Sequence, residues 1–318
     1  MRRSGVVVAV TITLAMSGPA AGQEVERLNP LIALREAGKP TFGLYAPSAG
    51  GGRGRAGAES PVKTPTERAA ETLGYKLSDF IFDGSMERSV DRGLSAFADY
   101  VGALRAAGAS ARTHPMTVKT AKISADPELA KREIARQLDT GVSGIVFVDV
   151  ESAAELRTGL DAMRFAAHGG TRPHAVGSAP SYWGLSEALY RARADLWPLN
   201  PEGELVSWVI VESREGLAKL REIAAVPGIG VLFPGAGTLR GVFTTTNAAG
   251  ERVLDEKAWE DAIQQVLAAC KEFDIPCGYP ANASDIEMRM AQGFSVFIMG
   301  WGEPGFQAVE IGRKRAGR

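Results

Sequence analysis

The 318-residue chain carries 36 basic and 37 acidic side chains, a formal net charge of −1, and is 45% hydrophobic. That balance, with no basic run interleaved with aromatics, argues against nucleic acid as a partner, while the apolar fraction is enough to fill a core. Two cysteines, Cys270 and Cys277, are too few for a disulfide scaffold and too few to hold a metal by themselves.

At the amino end, Arg2 and Arg3 precede an apolar run from Gly5 to Met16, then small residues up to Gly22. This three-part pattern predicts an export signal over residues 1–22, cut before Gln23. The run is shorter than the roughly 20 residues a spanning helix needs. The mature protein is therefore expected in the periplasm or outside the cell, without a stable membrane span. Eight apolar runs of strand length follow: Thr41–Ala46, Asp79–Gly84, Met116–Ala121, Gly144–Asp149, Ser207–Glu212, Gly230–Pro234, Ile275–Pro280 and Phe294–Gly300. Helical patterns lie between them, among them Pro127–Thr140, Ala153–Ala166, Arg214–Ala225, Lys257–Phe273 and Ala283–Gln292. Residues 48–64 are rich in glycine, proline and charge, without apolar periodicity, and read as a flexible insertion.

Strands that are apolar throughout, rather than alternately, are buried on both faces, as in a parallel sheet covered by helices. Eight such units predict one α/β domain over residues 23–318, a (β/α)8 barrel of the TIM type. The rival is an open, doubly wound sheet. It requires a glycine-rich turn that opens a helix after the first strand, and the run Gly50–Gly57 leads into Pro61 and Pro65 instead.

Chemistry in a barrel sits at the carboxyl ends of the strands. Asp83, Asp149 and Glu212 close the second, fourth and fifth runs. Three carboxylates at one mouth predict a hard divalent cation, magnesium or manganese. After the sixth run, Gly235, Ala236, Gly237 and Thr238 can turn successive backbone amides toward an anion, reinforced by a helix starting near Leu239. Tyr45, Tyr279 and Trp301 fall at strand ends, where they line a pocket or pack as a lid. Cys270 lies in a helical pattern and Cys277 in the following strand, which favours two separate buried thiols.

Three stretches resemble the HpcH/HpaI aldolase family, metal-dependent 2-oxo acid aldolases related to citrate lyase β chains. They are Asn29–Leu44, Met163–Ala179 with its Val176-Gly-Ser178-Ala, and Val211-Glu212-Ser-Arg-Glu215. The likeness spans roughly Leu28 to Gly300. It implies a pyruvate-binding barrel, a carbon–carbon lyase acting on a small 2-oxo or hydroxy acid through a metal-stabilised enolate, and a homo-oligomer. Glu212 matches the metal-binding glutamate, and Asp83-Gly84 match the start of an Asp-Gly-Glu-His motif whose last two positions here are Ser85 and Met86. The second metal aspartate has no counterpart, since no Asp or Glu occurs from Ile223 to Gly250. Asp149 is the expected replacement. Lys119 or Lys122 stands near the position of a substrate-gripping arginine, and Ile210 replaces a glutamine. Of the three histidines, His114, His168 and His174, the last lies nearest the Val-Gly-Ser-Ala stretch and is the candidate for proton transfer, with Ser178 against substrate. Two readings follow: a lyase with a rebuilt metal site, or a barrel without catalysis that binds a small carboxylate.

Overall fold

All eight apolar runs form strands: β1 (Thr41–Tyr45), β2 (Phe80–Asp83), β3 (Met116–Lys119), β4 (Gly144–Phe147), β5 (Leu205–Val211), β6 (Val231–Pro234), β7 (Gly278–Pro280) and β8 (Val296–Met299). The structure is a computed structural model that describes residues 26–50 and 61–318. The predicted export signal and the centre of the glycine-rich insertion, residues 51–60, lie outside the described residues.

The strands pair in parallel in the order β7-β8-β1-β2-β3-β4-β5-β6 and form one curled sheet. A two-residue strand, Leu196–Trp197, runs beside the start of β5. The two end strands also approach one another. The Leu232 amide of β6 donates to the Pro276 carbonyl at 3.0 Å, and Leu232 makes an isolated parallel bridge to Cys277.

Helices connect the strands, and polar caps fix where they start. Asp126 accepts from the Leu129 amide with Pro127 at the first helical position, and Asp255 accepts from the Ala258 amide. Both caps satisfy amides that the helix itself leaves unbonded. The predicted helix Arg214–Ala225 is broken at Lys219 into Arg214–Ala218 and Leu220–Ala224. An exposed antiparallel hairpin, Thr244–Thr246 with Arg252–Leu254, was not anticipated.

Side chains alternate along each strand, so the sheet has an inner and an outer face. Phe80, Phe82, Val146, Trp208, Ile210, Phe233 and Ile298 fill the inner face as one cluster. Ile81, Val118, Ile145, Val209 and Leu232 pack outward against the helices. Trp208 centres the inner layer, its ring 5.3 Å from Phe80 and 6.4 Å from Phe233. Losing that ring is worth about 3–5 kcal/mol.

The cysteines differ from expectation. Cys270 near the end of helix Glu256–Glu272 and Cys277 just before β7 form a disulfide, with Cα atoms 5.6 Å apart. The tight turn between them brings the end of the helix directly behind the start of the strand, within disulfide reach.

Candidate functional site

Which strand-end residues meet is decided by the alternation. Phe80 and Phe82 point inward, so Asp83 points outward. Val206, Trp208 and Ile210 point inward, so Glu212 continues the inner face. In β3, Met116 and Val118 pack outward and Lys119 points inward. Lys119, Glu212 and Tyr45 therefore line one cavity of about 200 Å³, walled on its far side by Gly235, Ala236, Gly237 and Thr238 and floored by the inner-face cluster. A neighbouring cavity of about 420 Å³ shares Tyr45, Phe82 and Lys119 with it and adds Arg68, Asp83, Ser85 and Glu87.

Glu212 is 6% exposed. One carboxylate oxygen accepts the Asp149 amide at 3.1 Å. Burial holds its carboxyl above the ordinary range, the Thr238 hydroxyl and the Lys119 charge pull it back, and Glu87 pushes it up. Gly235 comes so close that an added Cβ would stand 2.4 Å from Glu212 Oε2. Glycine is thus required there for close approach rather than for its backbone angles, which are ordinary (φ −70°). The Lys119 ammonium donates to Glu87 Oε2 at 3.0 Å, and its side chain is 14% exposed.

The predicted anion nest forms with one change. The Gly235 amide is bonded to the Val211 carbonyl, and the helix begins at Ala236 rather than near Leu239. The amides free to face a ligand are those of Ala236, Gly237 and Thr238, the first turn of a helix without a side-chain cap.

The other predicted residues are placed elsewhere. Asp83 is turned away from Glu212 into the neighbouring mouth cavity, 3.6 Å from Arg68 and accepting from the Ser85 amide at 2.8 Å. Asp149 adopts a left-handed backbone (φ 48°), and its carboxylate binds Lys122 at 2.6 Å, which also holds Glu151 at 2.7 Å. These bonds outweigh burial and raise the Lys122 pKa. What Asp149 gives Glu212 is its backbone N–H. His174 and Ser178 are exposed and away from the mouth: Ser178 packs by the Asp139 carbonyl, where helix Pro127–Leu138 ends at the amino side of the sheet. His174 belongs with Arg172 and Arg191 to a separate small cavity. His114 precedes β3, and His168 bonds the Arg191 carbonyl. Among the described residues, no histidine lines either mouth cavity.

The fit to a divalent ion follows from the donors. Among the described residues no group of three His, Cys, Asp or Glu side chains is placed to hold one. Glu212 is the one carboxylate in its own cavity among the described residues, Asp149 is taken by Lys122, and Asp83 lies in the neighbouring cavity against Arg68. The predicted cage of Glu212 and Asp149 is not assembled.

Two residues were missed. Glu87 lies four positions past Asp83 and tethers Lys119. Arg68 stacks over Tyr100 at 4.1 Å and donates to the Pro47 carbonyl at 2.9 Å, holding the first loop as well as facing Asp83. Neither has a local signal in the sequence: each pairs with a partner brought up from a distant segment. Another cavity, of about 660 Å³, is at the opposite, amino end of the strands, around Trp197, Leu199 and Pro276, and holds none of these groups.

The sequence profile of the HpcH/HpaI aldolase/citrate lyase family matches residues 96–296. The chain belongs to this family. It is 27% identical over 203 residues to 2-dehydro-3,6-dideoxy-6-sulfogluconate aldolase of Pseudomonas putida, covering 58% of this chain and 72% of that one. It is 29% identical over 143 residues to a 4-hydroxy-4-methyl-2-oxoglutarate aldolase of Hapsidospora irregularis, covering 43% and 47%. The fold matches an HpcH/HpaI aldolase/citrate lyase family protein of Burkholderia cenocepacia with a TM-score of 0.62 at 19% identity, over 85% of this chain and 91% of that one. It matches macrophomate synthase with a TM-score of 0.58 at 18% identity, over 91% and 88%. The HpcH/HpaI family comprises carbon–carbon lyases, 2-oxo acid aldolases among them, that act on small acids. The match to its profile covers β3 to β7, and hence Lys119, Glu212 and the Ala236–Thr238 turn.

Proposed function

We propose that this chain is an exported carbon–carbon lyase that makes or breaks the bond between C3 and C4, one carbon out from the carbonyl, of a 2-oxo acid or related hydroxy acid. The observation that carries this reading is the cavity in which Glu212 and Lys119 share the inner face beside the unbonded amides of Ala236 to Thr238. The substrate carboxylate rests on those amides, where the helix's amino-terminal dipole favours negative charge. Its carbonyl then lies between a carboxylate able to move a proton and a fixed cation. The curled sheet is read as a closed eight-stranded barrel, supported by the Leu232–Cys277 bridge between its end strands. Export is supported by the signal-like amino terminus and by the Cys270–Cys277 disulfide, a bond that persists in oxidising compartments.

The non-catalytic reading has one observation in its favour: Met86, fully buried, occupies the place where the resemblance expects a histidine. A panel of 4-hydroxy-2-oxo acids separates the two. The lyase releases pyruvate from at least one of them, and Glu212→Gln lowers that rate by at least about a hundredfold. Acids that raise the melting temperature but are not cleaved support a carboxylate-binding protein instead.

A further inference from the structure

Resting on the lyase reading above, we propose that the positive charge at this mouth is carried by the protein: Lys119, tethered by Glu87 across the cavity from Glu212, stabilises the enolate oxygen. The family resemblance led to the expectation of a divalent ion, and the side chains disagree with it. Each carboxylate that was to hold the ion already has another partner. Asp149 holds Lys122, Asp83 faces Arg68 in the neighbouring cavity rather than Glu212, and one oxygen of Glu212 accepts the Asp149 amide.

Lys119 is built for the vacant role. Its stem runs along the inner face at the end of β3, and its ammonium is fixed by Glu87 at 3.0 Å. An ammonium has three N–H donors, so two remain for a ligand. Lys119 also lies where the two mouth cavities adjoin, within reach of groups bound in either. A donor held in place before the reaction needs no reorganisation as charge develops, and in a partly water-excluded site its attraction is stronger than in bulk water.

The step closes without a co-reactant. In the cleavage direction, Glu212 takes the proton of the hydroxyl on the carbon to be released. The electrons of that O–H bond form the new aldehyde carbonyl. The pair of the breaking carbon–carbon bond becomes the enolate double bond, and the 2-oxo oxygen gains the negative charge. Lys119 donates a hydrogen bond to that oxygen and keeps its proton. Glu212 then returns its proton to the enolate carbon, giving the free 2-oxo acid. Exchange of pyruvate methyl protons is the same enolisation without the aldehyde.

The test is deuterium incorporation into pyruvate by the purified chain after exhaustive chelation, with metal content measured on the same sample. The metal-stripped protein is expected to catalyse exchange at the untreated rate. Lys119→Met and the polar Lys119→Gln should each lower it by about a hundredfold or more, the usual cost of one oxyanion donor. Lys119→Arg, which keeps the charge, should recover part of the rate, a rescue that a structural role alone does not give. Exchange that disappears on chelation and returns with magnesium or manganese, in both wild type and Lys119→Met, leaves the lyase reading standing and overturns this one. No exchange under either condition removes the lyase reading and this assignment with it.

Discussion

Replacing Gly235 with alanine perturbs the site through one methyl group. The backbone there (φ −70°, ψ 66°) suits alanine, so any effect is steric. The new Cβ would lie 2.4 Å from both Cβ and Oε2 of Glu212 and 2.9 Å from Ile210 Cγ2. Ordinary carbon contacts are about 3.5–4.0 Å, so Glu212 must retreat by about 1 Å or more, and Ile210 in the inner cluster limits the retreat. Overpacking of this kind costs about 1–3 kcal/mol, which in a chain of this size lowers the melting temperature by roughly 2–5 °C. A displacement of about 1 Å in a positioned group costs roughly a hundredfold in rate. Calorimetry and pyruvate exchange on the same preparation read both effects. Gly241→Ala is the control: it sits in the same helix with nothing within 4 Å of its added Cβ, and is expected to stabilise by about 0.5–1 kcal/mol. A Gly235→Ala protein that melts and turns over like wild type refutes the close approach of Gly235 to Glu212.

Four further outcomes follow. Because burial raises the Glu212 carboxyl above its ordinary value, the acid limb of the rate profile should lie above the usual carboxylate range. It should move higher in Lys119→Gln, which removes a charge that lowers it, and lower in Glu87→Gln. The same sign applies to stability: a raised carboxyl pKa favours the fold below the unfolded value and loses that contribution as pH rises through the folded one. Glu212→Gln should thus melt higher than wild type at neutral pH, with the gap shrinking in acid. Asp149→Asn should retain turnover within about threefold, under 1 kcal/mol of barrier, since Asn tolerates the left-handed backbone and keeps the N–H on Glu212; a loss of about tenfold or more shows that the carboxylate itself is needed. Opening the Cys270–Cys277 bond by a double serine replacement should cost about 2 kcal/mol in urea unfolding, as expected for a loop this short.

Most of the strands were legible as short apolar runs of a length no helix would use; β3, interrupted by Thr117 and Lys119, was the weakest of them. The site was half legible. Glu212 and the Gly235–Thr238 turn could be found from position along the chain. Reading Asp83, Asp149 and Glu212 as one cluster ignored the alternation: counted from Phe80 and Phe82 inward, Asp83 turns out of the Glu212 cavity and into the adjoining one beside Arg68. Asp149 was harder, because its positive φ turns the chain just past β4 and no strand rule covers it. The disulfide depended on how sharply residues 271–276 turn, and the Lys119–Glu87 pair on two segments 32 residues apart meeting at one mouth. His174 and Ser178 were chosen by nearness in sequence to a motif, and the connection that carries them runs under the sheet rather than over its mouth.

The measurement that tests the site most directly is a crystal structure of the chain with oxalate, a planar mimic of the pyruvate enolate. The account predicts oxalate in the cavity of Glu212 and Lys119, one carboxylate on the amides of Ala236, Gly237 and Thr238 and an oxygen of the other on the Lys119 ammonium. Oxalate seated at the amino end of the strands beside Trp197, or bound at the mouth without touching Lys119, would contradict it.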